Sequence, residues 1–421
     1  MRYLALNAAD RKKMLETVGV SGQEDLFIDV PNEAKNGKFN LPNGLTEQEV
    51  YKYFRELANK NTSADKVSFF LGGGCYRHYI PASVDHIIQR AEFLTSYTPY
   101  QPEISQGTLT VIFEFQSIIC TITGMPVANA SMYDGATALV EAVQMSQRVH
   151  KKRQKFHIAN ELNPEYGNVL KSYFESESFS DELNEELSAI IVQLPDYHGQ
   201  IAQLEKYRKI CDETSAHLIV VNSEIVAFGL LPAPVQADIV VGDAQSIGVG
   251  LNFGGPHLGY FACQEKFVRQ MPGRICGLTK DSMGKQSFVL TLNAREQHIR
   301  RHKATSNICS NQGLNAVAFT IHMSLLGKNG FKHLAKLNHN KAVKLYKALS
   351  NIAACKIEQQ NFFNEFCYET ALPAQQLLDN LLEQDIMGGI AVAPHKILVN
   401  VTELNSAEDI AKYATALEGI L

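Results

Sequence analysis

The chain has 421 residues, of which 45% are hydrophobic and 20% are charged, and its formal net charge at neutral pH is −5. This composition is typical of a soluble globular protein, and the length suggests two or three domains. The acidic balance gives no reason to expect a nucleic acid or an anionic membrane as partner.

The eight cysteines are scattered singly, and no C-x-x-C pair or His/Cys spacing suggests a zinc site. Unpaired cysteines in apolar runs fit a reducing cytosol better than a disulfide scaffold. The first twenty residues contain no apolar stretch of signal-peptide length, and no later run could span a bilayer. The expectation is therefore a cytoplasmic protein with no metal site.

The first seventy residues are predicted to form a helical extension. In the stretch LTEQEVYKYFRELANKN, Thr46 is followed three residues later by Glu49. This spacing predicts a capping box at the start of an amphipathic helix.

Apolar strands and helices then alternate, which predicts a mostly parallel sheet covered on both faces. A long apolar helix is expected in TLTVIFEFQSIICTITGM, and a second follows the small-residue loop of NASMYDGATALVEAVQMSQRVH. The predicted strands are KFHIAN, LSAIIVQL, AHLIVV, ADIVV and HLGYFAC, with NPEYGNVLKSYFES and QIAQLEKYRKICDETS as helices between them.

Near residue 330 the pattern changes to a smaller α+β unit of helix, strand, helix, strand and helix. The predicted division is an N-terminal helical extension (1–70), a large α/β domain (71–329) and a small C-terminal α+β domain (330–421). This architecture predicts the aminotransferase-like fold of pyridoxal phosphate (PLP) enzymes, the PLP-dependent transferase fold type I. Fold alone does not establish function, so the site residues must be considered one by one.

PLP chemistry needs a lysine for the Schiff base, and the expected position in this fold has none. The strand ADIVV ends in the turn Asp243-Ala244-Gln245-Ser246, so Ser246 or a neighbour stands where the lysine is expected. Lys280, Lys285 and Lys303 are alternatives, but each lies in a polar stretch where a solvated lysine is the simpler interpretation.

The second requirement is a carboxylate for the pyridine nitrogen, expected directly after the strand AHLIVV. Asn222 stands there and cannot be an anion, whereas Glu224 could serve only if the register slipped by two residues. Two of the three essential groups are therefore absent together, which predicts a chain that does not run PLP chemistry alone.

The third requirement is a phosphate cradle at a helix N-terminus. Ser131, Gly135 and Thr137 in SMYDGATALVEA could form one. The alternative is an ordinary helix start capped by Asp134, and the sequence does not decide between them.

Several segments resemble one family over essentially the whole chain. The chain is similar to the alpha subunits (subunit 1) of two-subunit glycine dehydrogenase (decarboxylating), the P-protein of the glycine cleavage system. The resemblance is carried by LGGGCYRHYIP, SYTPYQPEISQGTLTVIFEFQ, TGMPVANASMYDGATALVEA, NFGGPHLGYFA, MPGRICG and TLNAREQHIRRHKATSNICSNQ.

The resemblance implies a division of labour between two paralogous subunits. PLP belongs to the beta subunit, whose Schiff-base lysine and pyridine aspartate correspond to Ser246 and Asn222 of this chain. Together the subunits decarboxylate glycine and pass the aminomethyl group to the lipoyl group of H-protein. This chain would complete the mouth of the active site and would not be catalytic alone. The loop GVGLNFGG lacks the spacing of a nicotinamide-binding motif.

The segment YTPYQPEISQG is the strongest candidate for the active-site mouth, with an interface strap as the equal alternative. Arg77 and His78 could meet a carboxylate or phosphate across a subunit boundary, although structural ion pairs are the simpler interpretation. Cys75 has no base beside it in the sequence and is expected to be packed. The candidate polar side chains of the segment are Tyr97, Tyr100, Gln101, Glu103 and Gln106.

Two other function classes remain open from the sequence. One is a self-sufficient PLP enzyme that acts as a homo-oligomer and uses Lys280, Lys285 or Lys303. The other is a scaffold paralogue that binds a partner without contributing to catalysis.

Overall fold

The computed structural model of the protein describes residues 6–35, 37, 40–94 and 97–421. The chain divides into two compact units, residues 1–62 and residues 63–421. The first unit contains the helices α1 (Ala8–Val18), α2 (Asn32–Lys35) and α3 (Glu47–Ala58). None of these three helices contains a buried residue.

Helix α3 begins as the sequence predicts. The Thr46 side chain accepts a hydrogen bond from the backbone N–H of Glu49, and the Glu49 carboxylate accepts one from the backbone N–H of Thr46. This reciprocal arrangement satisfies two N–H groups that a helix start otherwise leaves without partners. The predicted capping box is confirmed.

The second unit is built on a six-stranded sheet in the order β2-β7-β6-β5-β4-β3. Strands β3 to β6 are parallel to one another, whereas β7 is antiparallel to both β6 and β2. The mostly parallel sheet predicted from the strand–helix alternation is therefore confirmed. Its strands are β2 (Val127–Ala128), β3 (Lys155–Ile158), β4 (Leu187–Gln193), β5 (His217–Asn222), β6 (Ile239–Asp243) and β7 (Gly259–Cys263).

Helices cover both faces of this sheet. Successive residues of a strand point to opposite faces, and in β4 Ile190 joins one buried apolar cluster while Ile191 joins the other. Burial on both faces explains why the strands read as continuous apolar runs. The α-helices between residue 63 and strand β6 are α4 (Ala82–Ile88), α5 (Ala91–Leu94), α6 (Gln106–Thr123), α7 (Gly135–His150), α8 (Pro164–Tyr173) and α9 (Leu204–Thr214).

The chain after β7 forms a hairpin, two helical segments joined at a kink at Gly327, and a second sheet. Phe70 packs in the same apolar cluster as the C-terminal helices, and β1 (Ser68–Phe69) pairs in parallel with β11 (Ile386–Met387). The predicted division into domains at residues 70 and 330 stays a prediction. The elements are β8 (Ile275–Lys280), β9 (Gln286–Thr291), α10 (Gln297–Arg300), α11 (Gly313–Ser350), β10 (Glu365–Glu369), α12 (Ala374–Leu382), β11 (Ile386–Met387), β12 (Ile390–Ala393), β13 (Lys396–Asn400) and α13 (Ala407–Ile420).

Within the described ranges, no helix is both long enough and apolar enough to cross a lipid bilayer.

Candidate functional site

A cavity of about 380 Å³ lies at the carboxyl ends of the parallel strands. Ligands of open α/β sheets bind at this edge, because loops diverge there and helix N-termini point toward it. We call it the sheet-end cavity, and its walls include Cys75, Asp134, Asn163, Tyr166, Asp243 and His257.

Two carboxylates occupy the N-terminus of α7 at the wall of the sheet-end cavity. Asp134 accepts a hydrogen bond from the backbone N–H of Thr137 at 2.7 Å, and Asp243 accepts one from the backbone N–H of Gly135 at 3.1 Å. The interpretation of Asp134 as a helix cap is therefore the one observed. A phosphate at this position would compete with both carboxylates and be repelled by them.

The rest of the proposed phosphate cradle is also filled by protein atoms. Ser131 is buried, and its hydroxyl oxygen accepts the backbone N–H of Gln312 at 3.0 Å. A Cβ built on Gly135 would lie 2.1 Å from the hydroxyl oxygen of Tyr166, so this side of the helix start has no free space. These residues do not fit a PLP phosphate.

Ser246 is buried in the loop that follows β6. Its hydroxyl has no hydrogen-bond partner within the described part of the chain, and it offers no amine for a Schiff base. The three alternative lysines, Lys280, Lys285 and Lys303, are all exposed.

Asn222 ends β5 and is fully buried. Its amide nitrogen donates to the carbonyl oxygens of Leu194 and Glu224, and its amide oxygen accepts the Tyr260 hydroxyl at 3.3 Å. The amide is therefore satisfied by protein partners, and it supplies no negative charge to hold a protonated pyridine.

His78 lies buried between two carboxylates. Its Nε2 is 2.9 Å from Glu224 Oε2, and its Nδ1 is 2.8 Å from Glu403 Oε2. Burial disfavours the imidazolium, but the charges and hydrogen bonds of both carboxylates outweigh it and raise the pKa of His78 to about 10. Glu224 is therefore engaged in an ion-pair network, which we call the His78 network.

The neighbouring Arg77 makes local contacts. Its guanidinium donates to the carbonyl oxygen of Ala64 at 2.7 Å and forms an ion pair with Asp65. A role of Arg77 or His78 at a subunit boundary stays a prediction.

A further buried carboxylate, Glu365, lies next to the glycine-rich loop. It accepts hydrogen bonds from the backbone N–H of Gly73 at 2.7 Å and from the Tyr76 hydroxyl at 3.0 Å. Burial outweighs these hydrogen bonds and raises the pKa of Glu365 to about 8. These contacts fix the loop that carries Cys75.

The predicted mouth segment projects its side chains outward. Tyr97, Tyr100, Gln101 and Glu103 are exposed, whereas Gln106 is half-buried and anchors the segment. The anchor is a pair of hydrogen bonds between the Gln106 amide and the backbone of Phe288 in β9, both at 2.9 Å.

Arg274 holds the middle of the segment from beneath. This residue is 6% exposed, and its guanidinium donates to the Tyr100 hydroxyl at 3.2 Å and to the carbonyl oxygen of Cys309 at 3.1 Å. The same guanidinium lies 5.5 Å from the centre of the Tyr100 ring and also donates to Ser310 and Asn311. The planar guanidinium, with several N–H donors in fixed directions, can bind all of these acceptors at once.

The arrangement around Cys75 was missed by sequence reasoning. His257 lies beside the Cys75 sulfur although the two residues are 182 positions apart, and Asp243 lies behind the histidine ring. The only local signal was a histidine in the Gly-Gly-Pro-His loop before β7. Within the described residues, no group of three or more His, Cys, Asp or Glu side chains is arranged to hold a metal ion.

Comparison with known proteins identifies the family. Residues 1–417 match the family model of the glycine cleavage system P-protein. The chain is 46% identical to a protein of Parvibaculum lavamentivorans named probable glycine dehydrogenase (decarboxylating) subunit 1, and the match covers all of both chains.

Solved structures agree. The crystal structure of glycine decarboxylase (P-protein) of the glycine cleavage system, in inhibitor-bound form, matches with a TM-score of 0.93 and 36% identity over all of both chains. A mutant of C-DES with glycine covalently linked to its PLP cofactor matches with a TM-score of 0.59 and 12% identity, over 85% of this chain and 99% of that one. The latter likeness concerns the fold alone, and it confirms the predicted aminotransferase-like fold. The chain belongs to the glycine cleavage system P-protein family.

Proposed function

We propose that this chain is subunit 1 of a two-subunit glycine decarboxylase and that the PLP of the enzyme is bound by its partner, the beta subunit. The assembled enzyme decarboxylates glycine and transfers the aminomethyl group to the lipoyl group of H-protein. Support for the partner comes from relatives whose names designate a subunit 1.

The observation that carries the assignment of PLP to the partner is the state of the α7 N-terminus. Asp134 and Asp243 accept two of the N–H groups at this helix start, and both carry the charge sign of a phosphate. The lack of an amine at Ser246 and of a carboxylate at Asn222 points the same way, since three independent requirements fail at one site.

The contribution of this chain is then to bind and position. The exposed aromatic and polar groups from Tyr97 to Glu103 form a surface held firmly by Gln106 and Arg274. Rigid anchors beneath exposed polar groups suit a surface that meets a partner or a substrate, because little ordering is required on binding. We infer that this surface completes the active-site mouth at the interface with the beta subunit.

The alternative of a self-sufficient PLP enzyme would require one of the exposed lysines to reach the sheet-end cavity. Lys280 and Lys285 lie at the turn of the β8–β9 hairpin, and Lys303 ends a short exposed 3₁₀ helix. The alternative of a non-catalytic scaffold is separated from the main proposal only by activity in the assembled enzyme.

The test combines a spectrum with an isotope exchange. We expect this chain alone, mixed with PLP, to show no aldimine absorbance band and no borohydride-trappable label. Exchange between the glycine carboxyl group and CO₂ is expected only after the beta subunit is added. A trappable band together with exchange by this chain alone would favour the self-sufficient enzyme. Binding of the beta subunit without a rise in its exchange activity would favour the scaffold.

A further inference from the structure

Three side chains from distant segments meet at one wall of the sheet-end cavity. The Cys75 sulfur lies 3.6 Å from Nε2 of His257, and Nδ1 of the same ring lies 3.1 Å from Oδ2 of Asp243. In this order an imidazole can hold the proton of the thiol while the carboxylate fixes the orientation and tautomer of the ring. We call these residues the thiol triad.

The two supporting residues are held in place without a ligand. The Asp243 side chain is buried, and besides the imidazole it accepts the backbone N–H groups of Gly135 at 3.1 Å and Gln245 at 2.8 Å. The carbonyl oxygen of His257 accepts a hydrogen bond from the Asn315 side chain at 2.8 Å. The imidazole is therefore oriented toward the sulfur before any molecule enters the cavity.

The imidazole beside the sulfur keeps its proton at neutral pH. Hydrogen bonds to Asp243 and to Cys75, together with their charges, outweigh burial and raise the pKa of His257 to about 10. A cysteine next to a persistent imidazolium is nucleophilic near neutral pH. The other titratable side chains of the cavity wall are Tyr133, Asp134, Glu165 and Tyr166.

The sulfur is accessible to small molecules. Cys75 is partly exposed and lines a cavity large enough for a compact ligand. Asp134, Glu165 and Asp243 line the same cavity, and the charge of His257 balances only one of them. The local field therefore disfavours anionic reagents and favours neutral or cationic ones.

We propose that Cys75 is a nucleophilic thiol that forms a mixed disulfide with a low-molecular-weight disulfide carrying neutral or amine groups. The thiolate attacks one sulfur of the reagent, a new S–S bond forms, and the S–S bond of the reagent breaks. The departing thiolate takes up the proton that His257 holds. Cys75 is oxidised, and one half of the reagent is reduced to a thiol. The site needs neither the beta subunit nor PLP.

The test uses cystamine, a disulfide with two amine groups, on the full chain carrying Cys309→Ser, which removes the exposed cysteine. Labelling of Cys75 is followed by peptide mass spectrometry between pH 6 and pH 8. An ordinary thiol with a pKa of about 8.5 is about 1% thiolate at pH 6.5, and its reaction rate rises about tenfold per pH unit below that pKa. We expect Cys75 at pH 6.5 to react at least about tenfold faster than free cysteine under the same conditions, because Nε2 of His257 lies 3.6 Å from its sulfur.

Substitution at the imidazole supplies the second arm. We expect His257→Gln to lower the Cys75 rate at pH 6.5 by at least about tenfold, while the exposed His302→Gln leaves it unchanged. The anionic reagent 3,3′-dithiodipropionate is expected to react at least about tenfold more slowly than cystamine. A Cys75 rate at pH 6.5 no higher than that of free cysteine would overturn the proposal, and this comparison needs no variant at His257. A rate unaffected by His257→Gln in a folded variant would overturn it as well.

Discussion

Replacing His78 with glutamine is expected to lower the free energy of unfolding by about 3–5 kcal/mol, the range seen when one member of a buried ion pair is removed. The substitution leaves the buried Glu224 and the largely buried Glu403 without the cation that both contact at less than 3 Å. Glu403 would keep its hydrogen bonds from the backbone N–H of Tyr79 and from Asn338, but these are neutral donors. Urea unfolding followed by circular dichroism measures the change.

The matched control is Arg77→Gln. Arg77 pairs with Asp65, an exposed residue, so solvent screens the interaction and its loss should cost about 0–1 kcal/mol. A change below about 1 kcal/mol for His78→Gln would mean that the His78 network contributes no more than a surface ion pair.

The same network predicts how stability depends on pH. The folded state raises the pKa of His78 from 6.5 to about 10, so it keeps a proton that the unfolded chain releases over this range. The stabilisation is therefore complete below pH 6.5 and declines as pH rises toward 10, by up to about 1.4 kcal/mol per pH unit. His78→Gln should remove its own part of the slope and leave the parts due to His257 and Glu365. Unfolding of both proteins measured at pH 6, 7, 8 and 9 would reveal the difference.

At acid pH the dependence of stability on pH has the opposite sign, because the group concerned is Glu403. Burial alone would raise the pKa of Glu403, but the charge and hydrogen bond of His78 outweigh it and lower the pKa from 4.5 to about 2. This contribution is complete above pH 4.5 and declines as pH falls toward 2. The network is therefore most stabilising between about pH 4.5 and pH 6.5.

The central sheet could be predicted from local sequence because each strand is an apolar run bounded by polar turns. Strands β4, β5 and β6 are buried at every position. A seven-residue apolar run such as LSAIIVQ is too short for a typical buried helix, so a strand covered on both faces is the expected element. The sequence also shows that no lysine stands at Ser246, three residues after β6, and no carboxylate at Asn222, which ends β5. That these two positions correspond to the PLP-binding groups of a partner subunit stays a prediction.

What could not be predicted is the set of side chains that meet across the chain. His78 and Glu403 are 325 positions apart, and the thiol triad joins Cys75 to residues beyond position 240. The proximity of the triad depends on the loop between β6 and β7, and that of Glu403 to His78 depends on the loop after β13. Local hydrophobic periodicity shows which face of a helix or strand is buried. It does not show which distant side chains that face will contact.

Arg274→Met is expected to reduce glycine–CO₂ exchange by the assembled two-subunit enzyme by about 10- to 100-fold, since small displacements of positioning groups have effects of this size. The substitution removes the donor that joins Tyr100 to the carbonyl oxygen of Cys309, and it leaves that carbonyl and the Tyr100 hydroxyl without their partner. The mouth segment would still be tethered by Gln106 but would no longer be held at its centre.

Two comparisons separate a positioning effect from a loss of folding. Arg269→Met alters an exposed arginine of the same chain and should leave exchange unchanged. Tyr100→Phe keeps the ring over the guanidinium and removes one hydrogen bond, so its effect should be smaller than that of Arg274→Met. Thermal melting and co-purification with the beta subunit report folding and assembly.

If Arg274→Met assembles and keeps full exchange, the mouth segment does not serve the active site. If the wild-type assembly itself shows no exchange, the proposed enzyme function is contradicted. The role of Arg274 is then not tested, because there is no activity for it to change.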